Sequence, residues 1–273
     1  MMSKITQEQR NRYAAKVKEY KTTTDAILAK EQSFLALLKQ PGSQGLGYVR
    51  IKLSQEMLAL TSYQVLVNTL SVALLGIKNE DALSEARKSV GRGLKYLEDI
   101  VTAYVDVPFS EYEKNLEAIS EISYDDRYSH LRKFGFAIRE IEEGFGSNSK
   151  WKWSFVELWG KLAAVAKNTL DLKRAYMDMD LTSPNRMIVL SYLAFVKRLL
   201  QGTADKYREK YEVSSMKMDD FKQAIVYLNA LRRIHMNMGE RSEAEELKKK
   251  IEIWSSKLDS DQKKREEEAK LKR

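Results

Sequence analysis

The side chains best suited to chemistry in this sequence are few, and the densest group of them is Lys150-Trp151-Lys152-Trp153. Alternating cations and indoles suit two tasks. A tryptophan that is partly exposed anchors a protein partner, and tryptophan is enriched among the residues that dominate interface energies. The same ring beside lysines stacks on a base while the amines meet phosphate. Trp153 sits about 200° round a helix from Trp151. If Trp151 faces the core, Trp153 is the indole left to bind, with Lys150 and Lys152 keeping it near positive charge.

No catalytic constellation accompanies this cluster. The two histidines are His130 and His235. His130 follows Asp126 by one helical turn, but a metal would need two or more further ligands, and no recognisable pattern supplies them. No Glu-x-x-His pair points to a di-iron bundle. His235 falls on an apolar stripe and reads as a core or hairpin histidine. Adjacent carboxylates occur at Asp125-Asp126, Glu142-Glu143 and Asp219-Asp220. Neighbours in sequence do not flank a glycosidic bond from separate positions, and acids at a helix start complement its dipole. Phosphate-binding and dinucleotide glycine loops and the nucleophile elbow are missing. Gly42, Gly45 and Gly47 form a loose loop with no strand before it. The chain has no cysteine, which excludes disulfides, thiolate metal sites and a cysteine nucleophile. The expectation is no enzyme, no catalytic or metal-binding residue and no cofactor.

The elements that carry these residues are helices throughout. The expected fold is all-α, a helical bundle or short helical array of about eight helices with antiparallel hairpins. From Thr6 to Gln40, the residues Tyr13, Val17, Tyr20, Thr24, Ile27, Glu31, Phe34 and Leu38 step by four and three, a coiled-coil seam with two polar members. Pro41-Gly42-Ser43-Gln44-Gly45 ends that helix. A second helix covers Leu46 to Ile77, and Met57 to Ile77 contains no charge. Its length suits a membrane span, but Gln64 and Asn68 near its middle are costly in lipid, so a buried central helix is expected. Asn79-Glu80-Asp81 opens a third helix to about Val105, in which Gly91 and Gly93 signal a close crossing or a kink. Ser110 and Glu113 have capping-box spacing for a fourth helix, about Glu111 to Ile122, and a fifth covers about Arg127 to Glu143.

Gly144 to Ser149 is the expected domain boundary, because the sign of the charge changes there. Net charge is +6 over 1–52, −6 over 53–147, +6 over 148–218 and +2 over 219–273. This gives an N-terminal region 1–146, a C-terminal region 150–258 and a charged tail 259–273. After the boundary, Trp151, Phe155, Leu158, Trp159, Leu162 and Ala166 form a stripe on a sixth helix reaching about Asp178. Thr182-Ser183-Pro184 stops and restarts the chain, and a seventh helix runs through Met187 to about Tyr211. Phe221, Ile225, Leu228, Leu231, His235 and Met238 line one face up to Gly239. Ala244, Leu247, Ile251, Trp254 and Leu258 line the next, an antiparallel αα-hairpin.

The segment Ile225 to Ile251 resembles one tetratricopeptide hairpin. Leu228 and Leu231, the Gly239-Glu240 turn and Ala244 carry the resemblance. Arg232 stands where that family has a small residue, and Lys248 where it has a large apolar one. The resemblance implies a protein-binding scaffold, although no second copy follows at a fixed period.

The leading expectation is a cytoplasmic adaptor, scaffold or structural protein that binds another protein or itself. The N-terminus lacks the apolar run of a secretory signal. The residues expected to bind protein are Tyr13, Tyr20 and Phe34 on the first seam, Lys150, Lys152 and Trp153, and Trp254 in the hairpin. The alternative is a nucleic-acid-binding helical protein, since the sequence pI is about 9.3. Lys150, Lys152, Lys197, Arg198, Arg232 and Arg233 would then meet phosphate. The third is association with a membrane through 57–77.

Overall fold

A reciprocal cap starts the first helix. The Gln9 amide donates to the Thr6 hydroxyl while the Gln9 side chain accepts from the Thr6 amide, launching α1 (Gln7–Leu38). The computed structural model describes residues 5–40 and 45–271. The Pro41 to Gln44 part of the expected break, Gly42 with it, lies outside the described residues. Among the described residues the fold is all-α, with ten α-helices and no strand. They divide into two compact units. The first is 1–101 with 115–158; the second is 102–114 with 159–273. The division falls inside a helix, not in the Gly144–Ser149 turn, and the second unit contains a segment that interrupts the first.

In the first unit, α2 (Leu46–Leu75) packs on α1, α3 (Glu80–Glu98) and α5 (Tyr124–Phe145). The α1 seam works as its spacing predicts. Every seam residue from Tyr13 to Leu38 is buried or half-buried, while its neighbours in sequence are mostly exposed. Ile27 packs on Met57 and Leu60. The polar seam member Glu31 is 2% exposed and satisfied there: Arg92 donates to both carboxylate oxygens, and the Tyr96 hydroxyl donates at 2.7 Å. Burial and this bond push the Tyr96 hydroxyl up to about 12. The glycine signal in α3 marks a close crossing. A Cβ on Gly93 would stand 2.8 Å from Phe134 and 3.1 Å from Met57, whereas one on Gly91 would meet only Leu158 at 3.6 Å. Ser123 caps α5 by accepting from the Asp126 amide, which brings His130 against the buried Ser54 hydroxyl at 2.8 Å. Burial, then the Lys133 charge, lower His130 to about 4, so it stays a neutral packing residue.

Two expectations are corrected. The helix read as buried all round is buried on one side. Thr61, Asn68 and Ser71 face inward, where Asn68 accepts the Asn79 amide, and Leu66 and Val72 face outward. Charge-free sequence had hidden polar groups on an inner face that Met57, Leu58 and Leu60 share. The fourth helix shrinks to a 3₁₀ turn, Phe109–Glu111, and α4 (Glu113–Glu117); Ser110 lies inside the turn and caps nothing there.

α6 (Lys152–Asn168) gives its residues through Leu158 to the first unit and the rest to the second. Residues 162–170, at its end, are buried without a break, which makes this the centre of the second unit. The expected helix to Asp178 stops here. α7 (Leu172–Met177) restarts on an Asp171 cap, and α8 (Arg186–Lys210) begins after Asn185, so Pro184 stands before its first turn. α8 ends in a π turn, Tyr211–Ser215. α9 (Met218–Asn237) packs on α8 and on α10 (Arg241–Leu271), and Gly239 turns between α9 and α10 with φ +75°. Phe221 lies 4.9 Å from Tyr211 and 5.8 Å from Trp254, ring to ring. α10 continues unbroken through the expected charged tail, tied back by Tyr211 on Asp261 and Arg265 on the Met216 carbonyl.

Candidate binding site

The pocket is built by the turn between α5 and α6. Gly146, at φ +82°, closes α5 by donating to the Glu142 and Glu143 carbonyls. Ser147-Asn148-Ser149 then carries the chain to α6, with the Ser149 hydroxyl accepting from the Trp151 amide at 3.1 Å. Glu80, Phe145 and residues 146–151 line an open pocket here. Lys78 buttresses the turn by donating to the Phe145 carbonyl at 2.8 Å. Arg87, two turns after Glu80 on the same face of α3, lays its guanidinium over the Trp151 ring, 4.3 Å from the centroid. Lys150 approaches the same ring at 5.4 Å. A cation above an indole gains electrostatically from the ring quadrupole, so the ring fixes both charges. The Arg87 Nε–H is buried without an acceptor.

The outer face of α2 lies in the same unit. Ser62, Leu66, Thr69, Ala73 and Gly76 are all exposed and step by four and three. They form an uncharged strip, with Leu66 41%, Val72 49% and Ile77 55% exposed. Lys78 follows Ile77 and reaches Phe145, so the strip ends beside the pocket.

The structure redistributes the residues proposed from sequence. Tyr13, Tyr20 and Phe34 lie on the α1 seam, half-buried within the chain; the Tyr13 hydroxyl accepts from Asn79, and Tyr20 meets the Tyr63 ring at 5.5 Å. Trp254 is 4% exposed, with Arg208 and Lys250 over its ring, so it belongs to the hairpin core. Trp153 is half-buried with Lys152 over its ring at 4.6 Å. The indole that walls the pocket is Trp151, the one assigned to the core. Of the basic residues, Lys197 is paired with Glu240 and Arg233 with Asp106. Arg232 is half-buried with its Nε–H unmatched, and Arg198 is exposed. His235 holds Glu240 across the hairpin turn at 2.5 Å. Burial works against ionising Glu240, but Lys197 and His235 outweigh it and hold the carboxyl below its ordinary value. Lys150 alone joins the pocket as expected. Glu80 in the lining, and Arg87 and Lys78 supporting it from outside, were missed, because nothing local in the sequence links them to the 146–151 turn.

A second polar cluster is buried in the second unit. Lys167 is 1% exposed, donates to the Val107 carbonyl at 3.2 Å and lies 4.9 Å from the Tyr112 ring. Burial first, then Arg233, pushes its amine down to about 8, with Asp106 opposing. Asn168 donates to the Thr102 and Tyr104 carbonyls. Together these bonds bind the non-helical 102–107 stretch to α6. The Tyr112 hydroxyl is buried with no partner, so Tyr112→Phe is expected to stabilise the second unit by up to about 1 kcal/mol in urea denaturation. A loss of that size would show that the hydroxyl has a partner in solution.

The model of the TP0443 family matches residues 9–262, nearly the whole described chain. This chain belongs to the TP0443 family. No curated protein matches the sequence. Among solved structures, a chain described as "Computational Design of Self-Assembling Cyclic Protein Homooligomers" is similar at 10% identity and a TM-score of 0.32, over 92% of this chain and 99% of that one. A likeness that low carries no argument about this member of the TP0443 family.

Proposed function

We propose that this protein is a non-enzymatic cytoplasmic adaptor or scaffold that binds a helix of another protein along the outer face of α2. The observation that carries the reading is the exposed, charge-free strip from Ser62 to Ile77. Helix recognition uses apolar anchors at spacings of three, four and seven on one face, and Leu66 with Ala73 and Val65 with Val72, each two turns apart, supply the spacing of seven between small residues that let a backbone approach. Contiguous apolar surface of this kind is uncommon on a protein that works alone. The α9–α10 hairpin, with its tetratricopeptide-like residues, is a second element that favours a scaffold. The nucleic-acid reading is weakened by the internal pairing of Lys197 and Arg233. The membrane reading is weakened by the packing of α2 on three helices and by the buried Thr61, Asn68 and Ser71 on its inner face.

The test compares the tagged wild-type chain with Leu66→Glu/Val72→Glu in pull-downs from native lysate, with and without nuclease, and in co-sedimentation with anionic vesicles. Both substitutions fall on exposed positions, so circular dichroism and melting should be unchanged. A stoichiometric protein partner that survives nuclease and is lost with the double variant is the expected result. Co-purification that nuclease abolishes, or vesicle binding that the double variant removes, would overturn the reading.

A further inference from the structure

We propose that the end of α6 in the second unit is a site for the free carboxyl terminus of another protein's chain, and that residues 102–107 fill it as an internal strap. This goes beyond helix binding by α2 and does not depend on it. The strap and the side chains that hold it all lie within the second unit. They grip it as a site grips an extended peptide. Asn168 donates to the Thr102 and Tyr104 carbonyls, Lys167 donates to the Val107 carbonyl, and Arg233 meets Asp106 at 2.8 Å. Val105 is 4% exposed and turns inward, while Ala103 and Tyr104 face solvent. One side of the strap is packed and the other is open to water.

Two side chains beneath the strap are only partly served by it. Lys167 is 1% exposed, and its hydrogen-bond acceptor is an uncharged carbonyl. No carboxylate pairs with its amine among the described residues; Asp106, whose charge reaches it, is taken by Arg233. A buried cation left on a neutral acceptor is costly, and a charged, hydrogen-bonded partner removes that cost. Asn168 is fully buried, and its Oδ1 accepts nothing although its Nδ2 donates twice. That oxygen is open to one backbone N–H of a peptide. A chain that ended where Val107 stands would answer the first need. Its last carbonyl would be a carboxylate, giving Lys167 a charge-assisted bond where the strap gives a neutral one. In the same register, an acid in place of Asp106 would keep Arg233. The occupant is thus an extended C-terminal tail whose last three residues are apolar, acidic and apolar.

The chain has no cysteine, so Val105→Cys places a single thiol under the strap. The full-length variant is labelled with a thiol reagent under native conditions, beside a Val196→Cys control in α8, where Val196 is fully buried. The strap thiol is expected to react about tenfold or more faster than the control, because the strap opens without the unit unfolding. The probe is an N-acetylated hexapeptide with the sequence of residues 102–107 and a free C-terminal carboxylate. It should hold the strap open and raise the labelling rate saturably. The same peptide as its C-terminal amide should need about tenfold or more the concentration. Lys167→Met keeps the aliphatic stem without the charge and should bring the acid and the amide to the same affinity. Equal affinity of acid and amide for the chain with Lys167 intact, no saturable effect of the acid, or a strap thiol that reacts no faster than the control would each overturn the proposal.

Discussion

Replacing Lys167 by Met is expected to stabilise the second unit by about 2 kcal/mol at pH 7. The amine titrates near 10.4 in an unfolded chain and near 8 in the fold, because it is buried beside Arg233. That difference amounts to about 3 kcal/mol of penalty for holding the charge inside. Met keeps the aliphatic stem and loses the bond to the Val107 carbonyl, which offsets about 1 kcal/mol. The sign of the pH dependence follows from the lowered value. Below pH 8 both states hold the proton, and the native state carries the whole penalty. Between 8 and about 10.4 the unfolded chain binds a proton that the native state does not, so stability rises with pH. Above about 10 Tyr112 acts in the opposite direction, because burial raises its hydroxyl and the unfolded chain releases that proton first. Urea denaturation monitored by hydrogen exchange in α6, α8 and α9, from about pH 7 to about pH 10, should therefore show wild-type stability climbing and Lys167→Met flat. A flat wild-type profile, or a variant less stable than wild type at pH 7, would show that the amine is not charged and buried as described.

Gly93→Ala and Gly91→Ala should shift stability in opposite directions although the residues are two apart in one helix. Alanine in a helix interior is favoured over glycine by about 0.5 to 1 kcal/mol. At Gly91 the new methyl meets only Leu158, at ordinary contact distance, and the gain is kept. At Gly93 it would meet Phe134 at 2.8 Å and Met57 at 3.1 Å. Both are fully buried, so neither can swing out to solvent. Overpacking of this kind costs about 1 to 3 kcal/mol, and the net result should be a loss of about 2. Paired thermal and denaturant melts measure the contrast. Two stabilising substitutions would mean that the crossing is looser than the structure shows; two destabilising ones would point to a constraint on Gly91 beyond its contact with Leu158.

Much of this architecture is legible in local sequence, and the failures have identifiable causes. The α1 seam and the α9–α10 hairpin follow from spacing alone, because each depends on residues within one or two turns of each other, whereas the glycines of α3 left a crossing and a kink open until Phe134 and Met57 were seen against Gly93. The helix ends were harder. Asp171, read as mid-helix, caps α7, because a short side chain bonding a nearby amide competes with the helix it interrupts. Burial was misjudged in α2, and the end of α6 shows why. Met57 to Ile77 has no charge yet shows one face to solvent, whereas the end of α6 contains Lys167 and Asn168 and is enclosed on every side. Hydropathy along the chain reports composition, while enclosure depends on what comes over the top. The candidate site was half legible. Lys150 and an indole were identified, but Trp151 and Trp153 exchanged roles once Arg87 took the Trp151 face, a contact between distant parts of the chain that no periodicity encodes.

The segment 102–112 has a consequence for the order in which the protein comes into being. It is synthesised before the helix that holds it: Val107 precedes Lys167 by 60 residues, and Thr102 precedes Asn168 by 66. At ordinary translation speed the segment waits roughly 3 to 12 seconds for its anchors. Early in that interval α1 to α3 exist without α5 or the pocket turn, both of which are made before the end of α6. Residues 102–112 therefore pass through birth as an open loop, and α6 is the element whose arrival lets both units close. A nascent chain stalled before Asn168 would hold every helix of the first unit and still leave that loop without its clasp. A cut between 158 and 159, the place where the contacts divide, would separate the second unit from a part of itself.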